Sequence, residues 1–397
     1  MLRAAEGSPR QASRGAQIAV VAAAGALAGA VLLGLPAGWR MPGLFALGVL
    51  FGLTLYLTGF GFTAAYRELL VRRETGAVRA QLLLLAVTTI LFAPALAAGS
   101  VFGREVVPAV APAGIAVGAG AFLFGIGMQL AGGCGSGTLY TMGGGSPRMA
   151  LVLVAFCGGS FLASFHMSWW GRLPGVGEVS LGAALGWPTA VALQLALLVA
   201  LWILLGRIGR PGPAGDRASP DKAVRQRALW IGALVLSLLS VLTLVLAGHP
   251  WSITWAFTLW GAKTALFLGW DPAGAEFWRS SFQSAALSNG ILADVTSVMD
   301  IGIVLGALAG AGAAGGFAPR LALSGHSAAA AVLGGLAMGY GARIAYGCNI
   351  GAFYSGVAST SLHGWLWIIA ALPGCWVGIR LRPRFGLDDG RAPEGFR

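Results

Sequence analysis

Charged residues are scarce in this chain. Asp, Glu, Lys and Arg make up 10% of its 397 residues, against 57% hydrophobic residues. A soluble domain carries about 25% charged residues, so a water-covered globule is excluded. Cysteine is also scarce: Cys134, Cys157, Cys348 and Cys375 are widely spaced, with no C-x-x-C pair. That argues against a zinc site or a thioredoxin-like redox motif. The four histidines show no ligand spacing, so neither a metal nor a cofactor is expected. No basic face belongs to a soluble module, which leaves nucleic acid without a binding surface. No small-residue cleavage site clearly follows the first apolar run, so that run reads as a span and not as a removed leader.

What is present is length and apolarity. The mean hydropathy is +0.77, and a bilayer span needs roughly 20 mainly apolar residues as a helix. Candidate spans lie near 17–36, 43–63, 80–98, 113–132, 149–166, 183–206, 228–247, 296–315, 324–345 and 363–380. The expected fold is an all-α polytopic membrane protein, with about ten transmembrane helices and lipid as its surroundings. The stretch 248–295 mixes Trp, Pro and charges, and holds either one more pair of spans or short helices that enter and leave on one side.

The net charge is +12, and 19 of the 26 Lys and Arg fall in five places: the N-terminal tail, 67–79, 207–227, Arg320 and 380–397. With ten spans and both termini inside, all five lie on one face, which the positive-inside rule makes cytoplasmic. The polar, basic "GRIGRPGPAGDRASPDKAVRQR" at 206–227 divides the chain nearly in half. The expected organisation is a tail and additional helix (1–42), a first membrane half (43–205), this linker (206–227), a second membrane half (228–385) and a C-terminal tail (386–397).

The 63 glycines are not evenly spread. "AGGCGSGTLYTMGGG" at 131–145 ends one apolar run, and "AYGCNIGAFYSG" at 345–356 ends another. Setting Cys134 on Cys348, an offset of 214, also aligns Gly120 with Gly334, Gly125 with Gly339, Gly127 with Gly341, Gly133 with Gly347, Gly137 with Gly351 and Tyr140 with Tyr354. The first copy follows a span running out-to-in and the second a span running in-to-out, the inverted arrangement of many secondary transporters. A fainter third copy, "FGLTLYLTGFGFTAAY" at 51–66, sets Gly61 where the cysteine stands in the others.

Backbone amides at bilayer depth must be bonded within a helix or line a protein-enclosed polar cavity. A glycine cluster ending a span therefore predicts a broken helix, and the residues after each cysteine predict a short re-entrant helix. Its N-terminus carries free amides and the positive end of the dipole, which favours an anion. A neutral thiol there is a weak donor. It can hold an anion and release it, whereas a fixed positive charge binds too tightly for passage. The pathway candidates are Cys134 with Gly133, Gly135, Gly137 and Tyr140, and Cys348 with Gly347, Asn349, Gly351 and Tyr354. Together they point to a route for a small anion, a sulfur-containing one among the candidates. Arg343, five residues before Cys348, either draws in an anion or pairs with a helix end. Asp294 and Asp300 are both helix-cap candidates, Asp294 as an N-cap, with a proton-coupling carboxylate the alternative for the pair. Cys157 and Cys375 read as small core hydrophobes.

The same stretches, with "LADVTSVMDIGIVLGAL" and "YGCNIGAFYSGVASTSLHGWLWIIAALPGCWVGIRLRPRFGL", resemble the YeeE/YedE family of bacterial inner-membrane proteins over about 43–387. The resemblance implies an hourglass of pseudo-symmetric halves with spanning and re-entrant helices, no enzymatic activity, and uptake of thiosulfate passed between cysteine thiols. It places Cys134 and Cys348 on the family's first-half and second-half cysteines. The family's third cysteine falls on Gly61, so the ligand is thiosulfate or another sulfur or selenium species. Some members work beside small sulfur-carrier proteins of the TusA type. A membrane thiol oxidoreductase is the alternative class, and a non-transporting anchor for a sulfur-transfer protein a weaker one.

Overall fold

Backbone polar groups have no water to bond with in a hydrocarbon layer, so a chain this apolar satisfies them inside helices. The computed structural model describes residues 14–209, 220–319 and 323–387. The first thirteen residues, positions 210–219 of the 206–227 linker, 320–322 including Arg320, and the tail from 388 lie outside them.

The first part of the chain forms α1 (Arg14–Gly34), α2 (Arg40–Thr58), α3 (Phe62–Arg67), α4 (Gly76–Ala98), α5 (Ile115–Ala131), α6 (Gly135–Gly143) and α7 (Pro147–Ser164). The short α8 (Met167–Gly171) and α9 (Leu181–Leu185) lead into α10 (Trp187–Ile208). The second part forms α11 (Pro220–Ala247), α12 (Thr254–Phe267), α13 (Ser281–Ser288), α14 (Val295–Ala313), α15 (Gly325–Ile344), α16 (Ser355–Ala358) and α17 (Leu362–Leu381). Two small antiparallel pairs, 100–101 with 104–105 and 112–114 with 175–178, are the only sheet among the described residues.

Among the described residues ten helical stretches are long and apolar enough to cross a membrane, three of them carrying a short helix beyond a break. Lipid-facing side chains such as Val199, Ile203, Leu238 and Ile369 stay exposed. The ambiguous 248–295 region resolves into α12, of 14 residues, followed by short turns and α13. At 1.5 Å per residue α12 is about 21 Å long, too short for a hydrocarbon core of about 30 Å. Asp294 caps α14 as expected, accepting from the Ser297 amide at 2.8 Å, and its other oxygen accepts from Trp255 Nε1 at 2.9 Å.

The repeat is visible in the way glycines let helices touch. A Cβ built on Gly120 would lie 2.6 Å from the Gly341 carbonyl oxygen, and one on Gly341 would strike that of Gly120. Gly127 and Gly334 meet in the same way, at 2.7 and 2.8 Å. In the 214-residue register Gly120 corresponds to Gly334 and Gly127 to Gly341, so each contact joins a residue to its partner's counterpart. That is the signature of a two-fold relation. Since the contacts advance in opposite chain directions, α5 and α15 run antiparallel and the two repeats are inverted. The neighbours obey the same relation. Gly125 packs on the Ala371 carbonyl of α17, and Gly339 on the Phe156 carbonyl of α7. Without a hydrophobic drive between helices in lipid, such close backbone approach supplies the packing energy. Phe124, Phe156, Phe257 and Trp367 fill the centre beside it.

Candidate functional site

Both cysteines stand at the same kind of break. Gly132 ends α5 in a left-handed conformation (φ 82°), its amide bonded to the Met128 carbonyl at 3.0 Å. Cys134 then turns extended (φ −91°, ψ −166°) and becomes the N-cap of α6. In the second repeat Tyr346 takes the left-handed place (φ 58°). Cys348 repeats the extended cap (φ −103°, ψ −162°) before a six-residue π turn, Asn349–Tyr354, that continues into α16. A third break has the same form: Gly59 is left-handed and Gly61 is the extended N-cap (φ −154°, ψ 157°) of α3.

The three breaks converge. A Cβ on Gly135 would lie 3.3 Å from the Cys348 sulfur, so that thiol rests on the residue directly after Cys134. A Cβ on Gly137 would lie 3.6 Å from the Cys134 sulfur, and one on Gly351 would lie 3.4 Å from Ser252 Oγ. A Cβ on Gly61 would lie 3.1 Å from the Tyr140 hydroxyl, tighter than ordinary contact. The first repeat's tyrosine thus stands where a side chain at 61 would reach. Cys134 and Cys348 are fully buried and unbridged. Cys134 Sγ is 3.4 Å from Ser136 Oγ, while Cys348 Sγ accepts from the Ile350 amide at 3.4 Å.

Two short helices therefore aim their N-termini at one point. In α6 the first intrahelical bond is Thr138 to the Cys134 carbonyl at 2.8 Å, and in the second turn it is Ala352 to the Cys348 carbonyl at 3.0 Å. The amides ahead of these bonds lie at the positive ends of the dipoles.

The other expected residues divide. Tyr354 is anchored behind the turn, its hydroxyl 2.8 Å from Thr88 Oγ1 on α4. Arg343 lies in the last turn of α15 with its guanidinium 5.3 Å over the Phe277 ring and Nε without a partner. Gly133 and Gly347 lie within the turns and pack on the first turns of the helices that follow, Gly133 against Gly137 and Gly347 against Ala352.

Several buried polar residues complete the site: Asn349, already a candidate from the sequence, and Tyr66, Thr63 and Gln129, which sequence reasoning passed over. Asn349 is fully buried, and neither polar atom of its amide has a hydrogen-bond partner. The buried Thr63 hydroxyl has no hydrogen-bond partner among the described residues, while the buried Tyr66 hydroxyl faces Asn349 and the buried Gln129 side chain faces Cys375. Tyr66 lies beside Asn349 and within electrostatic range of Cys134 and Cys375. Gln129 Nε2 donates to the Thr63 carbonyl at 3.1 Å, joining α5 to α3. Each buried polar group left unbonded costs about 1–3 kcal/mol, and native structures keep few of them. This cluster is therefore unfavourable as mere packing and suited to bonding something that passes.

The nearby positive charges are already used. Arg148 donates to the Ala131 carbonyl and, at 2.8 Å, to that of Leu130. Arg382 donates to the Gln129 carbonyl at 2.7 Å. Together they satisfy the C-terminal end of α5. Cys375 is buried beside Gln129, and Cys157 is half-buried on α7.

The sequence model of the family described as sulphur transport matches residues 57–377. A probable transporter YedE of Escherichia coli (strain K12) is 33% identical over 147 residues, 37% of this chain and 36% of that protein. Its namesake in Salmonella typhimurium is 32% identical over 147 residues, with the same coverage. The match thus spans about a third of the length of these two relatives. The thiosulfate transporter TsuA of Spirochaeta thermophila is 27% identical over 353 residues, 83% of this chain and 95% of that protein.

Proposed function

The chain belongs to the sulphur transport family, and on that premise we propose that it carries a small sulfur-containing anion across a bacterial inner membrane, thiosulfate being the leading candidate. One observation carries this reading: two thiol turns from inverted repeats meet at a single buried point, with the Cys348 sulfur against Gly135. An anion there faces two helix N-termini, the arrangement by which broken helices hold anionic groups at the midplane of a transporter. The thiols offer weak S–H donors, and soft sulfur suits a soft ligand. The Asn349 amide and the Tyr66 hydroxyl bond its oxygen atoms. With Arg148 and Arg382 committed to carbonyls, the ion meets no fixed charge at the waist and leaves again. Gly135 keeps the way open from one sulfur to the other.

Both ends of the chain are oriented to the cytoplasm, since ten spans return it to its starting side and the basic 67–79 segment falls there. A small sulfur-carrier protein of the TusA type is the proposed acceptor at that face. Because Gly61 stands in place of the family's third cysteine, the relay here uses two thiols and the Tyr140 hydroxyl.

The test is uptake of sulfur-35 thiosulfate by the purified protein in liposomes, with sulfate, sulfite and selenite as competitors. Unlabelled thiosulfate is expected to compete at least about tenfold better than sulfate, a difference of roughly 1.4 kcal/mol. Competition by selenite alone would replace thiosulfate as the ligand. The closeness of the two sulfur-bearing turns also fits a thiol oxidoreductase. Mass spectrometry of alkylated protein separates the two: the transport reading expects both cysteines singly alkylated, the enzyme a Cys134–Cys348 disulfide.

A further inference from the structure

We propose that Asp300 carries a proton together with the anion, which makes the protein a proton-coupled carrier; this rests on the transport reading above. Asp300 lies in the second turn of α14, within a membrane span, and is fully buried. Among the described residues neither of its carboxyl oxygens has a hydrogen-bond partner. Other acidic side chains are engaged: Asp294 and Asp271 cap helices, Glu68 and Glu74 pair with Arg225 and Lys222, and Glu276 accepts from Ser168.

Among the described residues no cation pairs with Asp300 from the elements around it. On α12, Lys263 gives its protons to the Leu287 and Asn289 carbonyls. On α2, Arg40 donates to the Leu246 and Ala247 carbonyls, and Tyr56 lies at the far end of α14, against Gly310 and Gly316. On α1, Arg14 borders Gly312, again at that far end. On α6, Tyr140 faces Gly61. The titratable groups within electrostatic reach of Asp300 are Asp294, Cys157 and Cys348.

A carboxylate charge with neither donor nor counter-ion is costly at this depth, and an ionisable residue inside a span marks an ion or proton path. Because Cys348 lies within electrostatic reach of Asp300, a rule of occupancy follows. An anion at that thiol and a charged Asp300 would repel each other across a medium of low dielectric constant, so the anion settles at the waist only when Asp300 holds its proton. One proton passes from water on the loading side to the Asp300 carboxyl, and from there to water on the release side. Only that O–H bond is made and broken, and the anion is unchanged.

The experiment uses proteoliposomes with valinomycin and equal potassium on both sides, so that no membrane potential contributes. An outward acidity of one pH unit should raise wild-type accumulation of sulfur-35 thiosulfate about tenfold, as one-to-one coupling requires. Asp300→Asn should still exchange external label for internal thiosulfate but lose the gradient-driven accumulation, and Asp300→Glu should keep it. Wild-type uptake indifferent to the gradient would overturn the proposal, as would full accumulation by Asp300→Asn. An inserted Asp300→Asn that fails even to exchange would assign the carboxyl to anion binding and likewise overturn it. If Asp300→Asn does not insert, loss of accumulation in an inserted, exchange-competent Asp300→Glu decides against coupling. A wild type that takes up no thiosulfate under any gradient would remove the transport reading itself, and the coupling with it.

Discussion

The first and second thiol turns share a backbone and differ in what they do with it. Cys134 and Cys348 are both extended caps with nearly the same dihedral angles. The residue after each cysteine diverges. Gly135 adds nothing and leaves room for the opposite sulfur, whereas Asn349 brings a buried amide that faces Tyr66. The left-handed residue diverges too, glycine at 132 and tyrosine at 346. Duplication preserved the frame that brings two thiol turns together, and divergence left a bare glycine after one cysteine and a buried amide after the other. The Gly61 turn extends the lesson: the frame stays, the thiol is gone, and a neighbouring tyrosine hydroxyl stands beside the place.

The comparison can be broken most severely at its packing. Gly125→Ala and Gly339→Ala push a methyl group onto the Ala371 and Phe156 carbonyls, and each is expected to cost about 2–3 kcal/mol. Thermal melting of the detergent-solubilised variants should show similar losses, and a large loss at one site only would mean that the halves are not packed alike. Next comes the donor side. Asn349→Ala should lower thiosulfate uptake, as kcat/KM, about tenfold, roughly 1.4 kcal/mol for a lost bond to an anion. Ser136→Ala in the first turn should change it less than about threefold on the same scale. Equal effects would contradict the division of labour. The smallest expected effect lies at the third turn. Gly61→Cys crowds the Tyr140 hydroxyl, and Tyr140→Phe relieves it. A double-mutant cycle on melting should give a coupling of about 0.5–1 kcal/mol, and strict additivity would separate the two residues.

Hydropathy was sufficient for the spans, because a run of about twenty apolar residues has no other economical place. The thiol turns were legible because Cys134 and Cys348 recur inside one glycine spacing, and the same spacing exposed Gly61. In 248–295 apolarity is high but interrupted, so one sub-span helix and a pair of spans look alike until the length of α12 decides. The polar half of the site was hidden for a different reason. Tyr66 and Gln129 are common residue types with no local pattern, brought in by helix packing from distant segments, whereas Asn349 was legible through its place directly after Cys348. Arg148 and Arg382 were opaque in the same way: each caps α5 from across the fold, 17 and 253 residues from a carbonyl it bonds. Arg343 is a different case: its place five residues before Cys348 left an anion or a helix end as its partner, and its guanidinium lies over the Phe277 ring.

The central claim is that Cys134 and Cys348 hold the anion in turn, and replacing each by alanine tests it most directly. Sulfur-35 thiosulfate uptake by reconstituted Cys134→Ala and Cys348→Ala, at equal insertion, should each fall at least about 100-fold, roughly 2.7 kcal/mol. Cys157→Ala should stay within about twofold of wild type on that scale. Normal uptake by both Cys134→Ala and Cys348→Ala would contradict the relay.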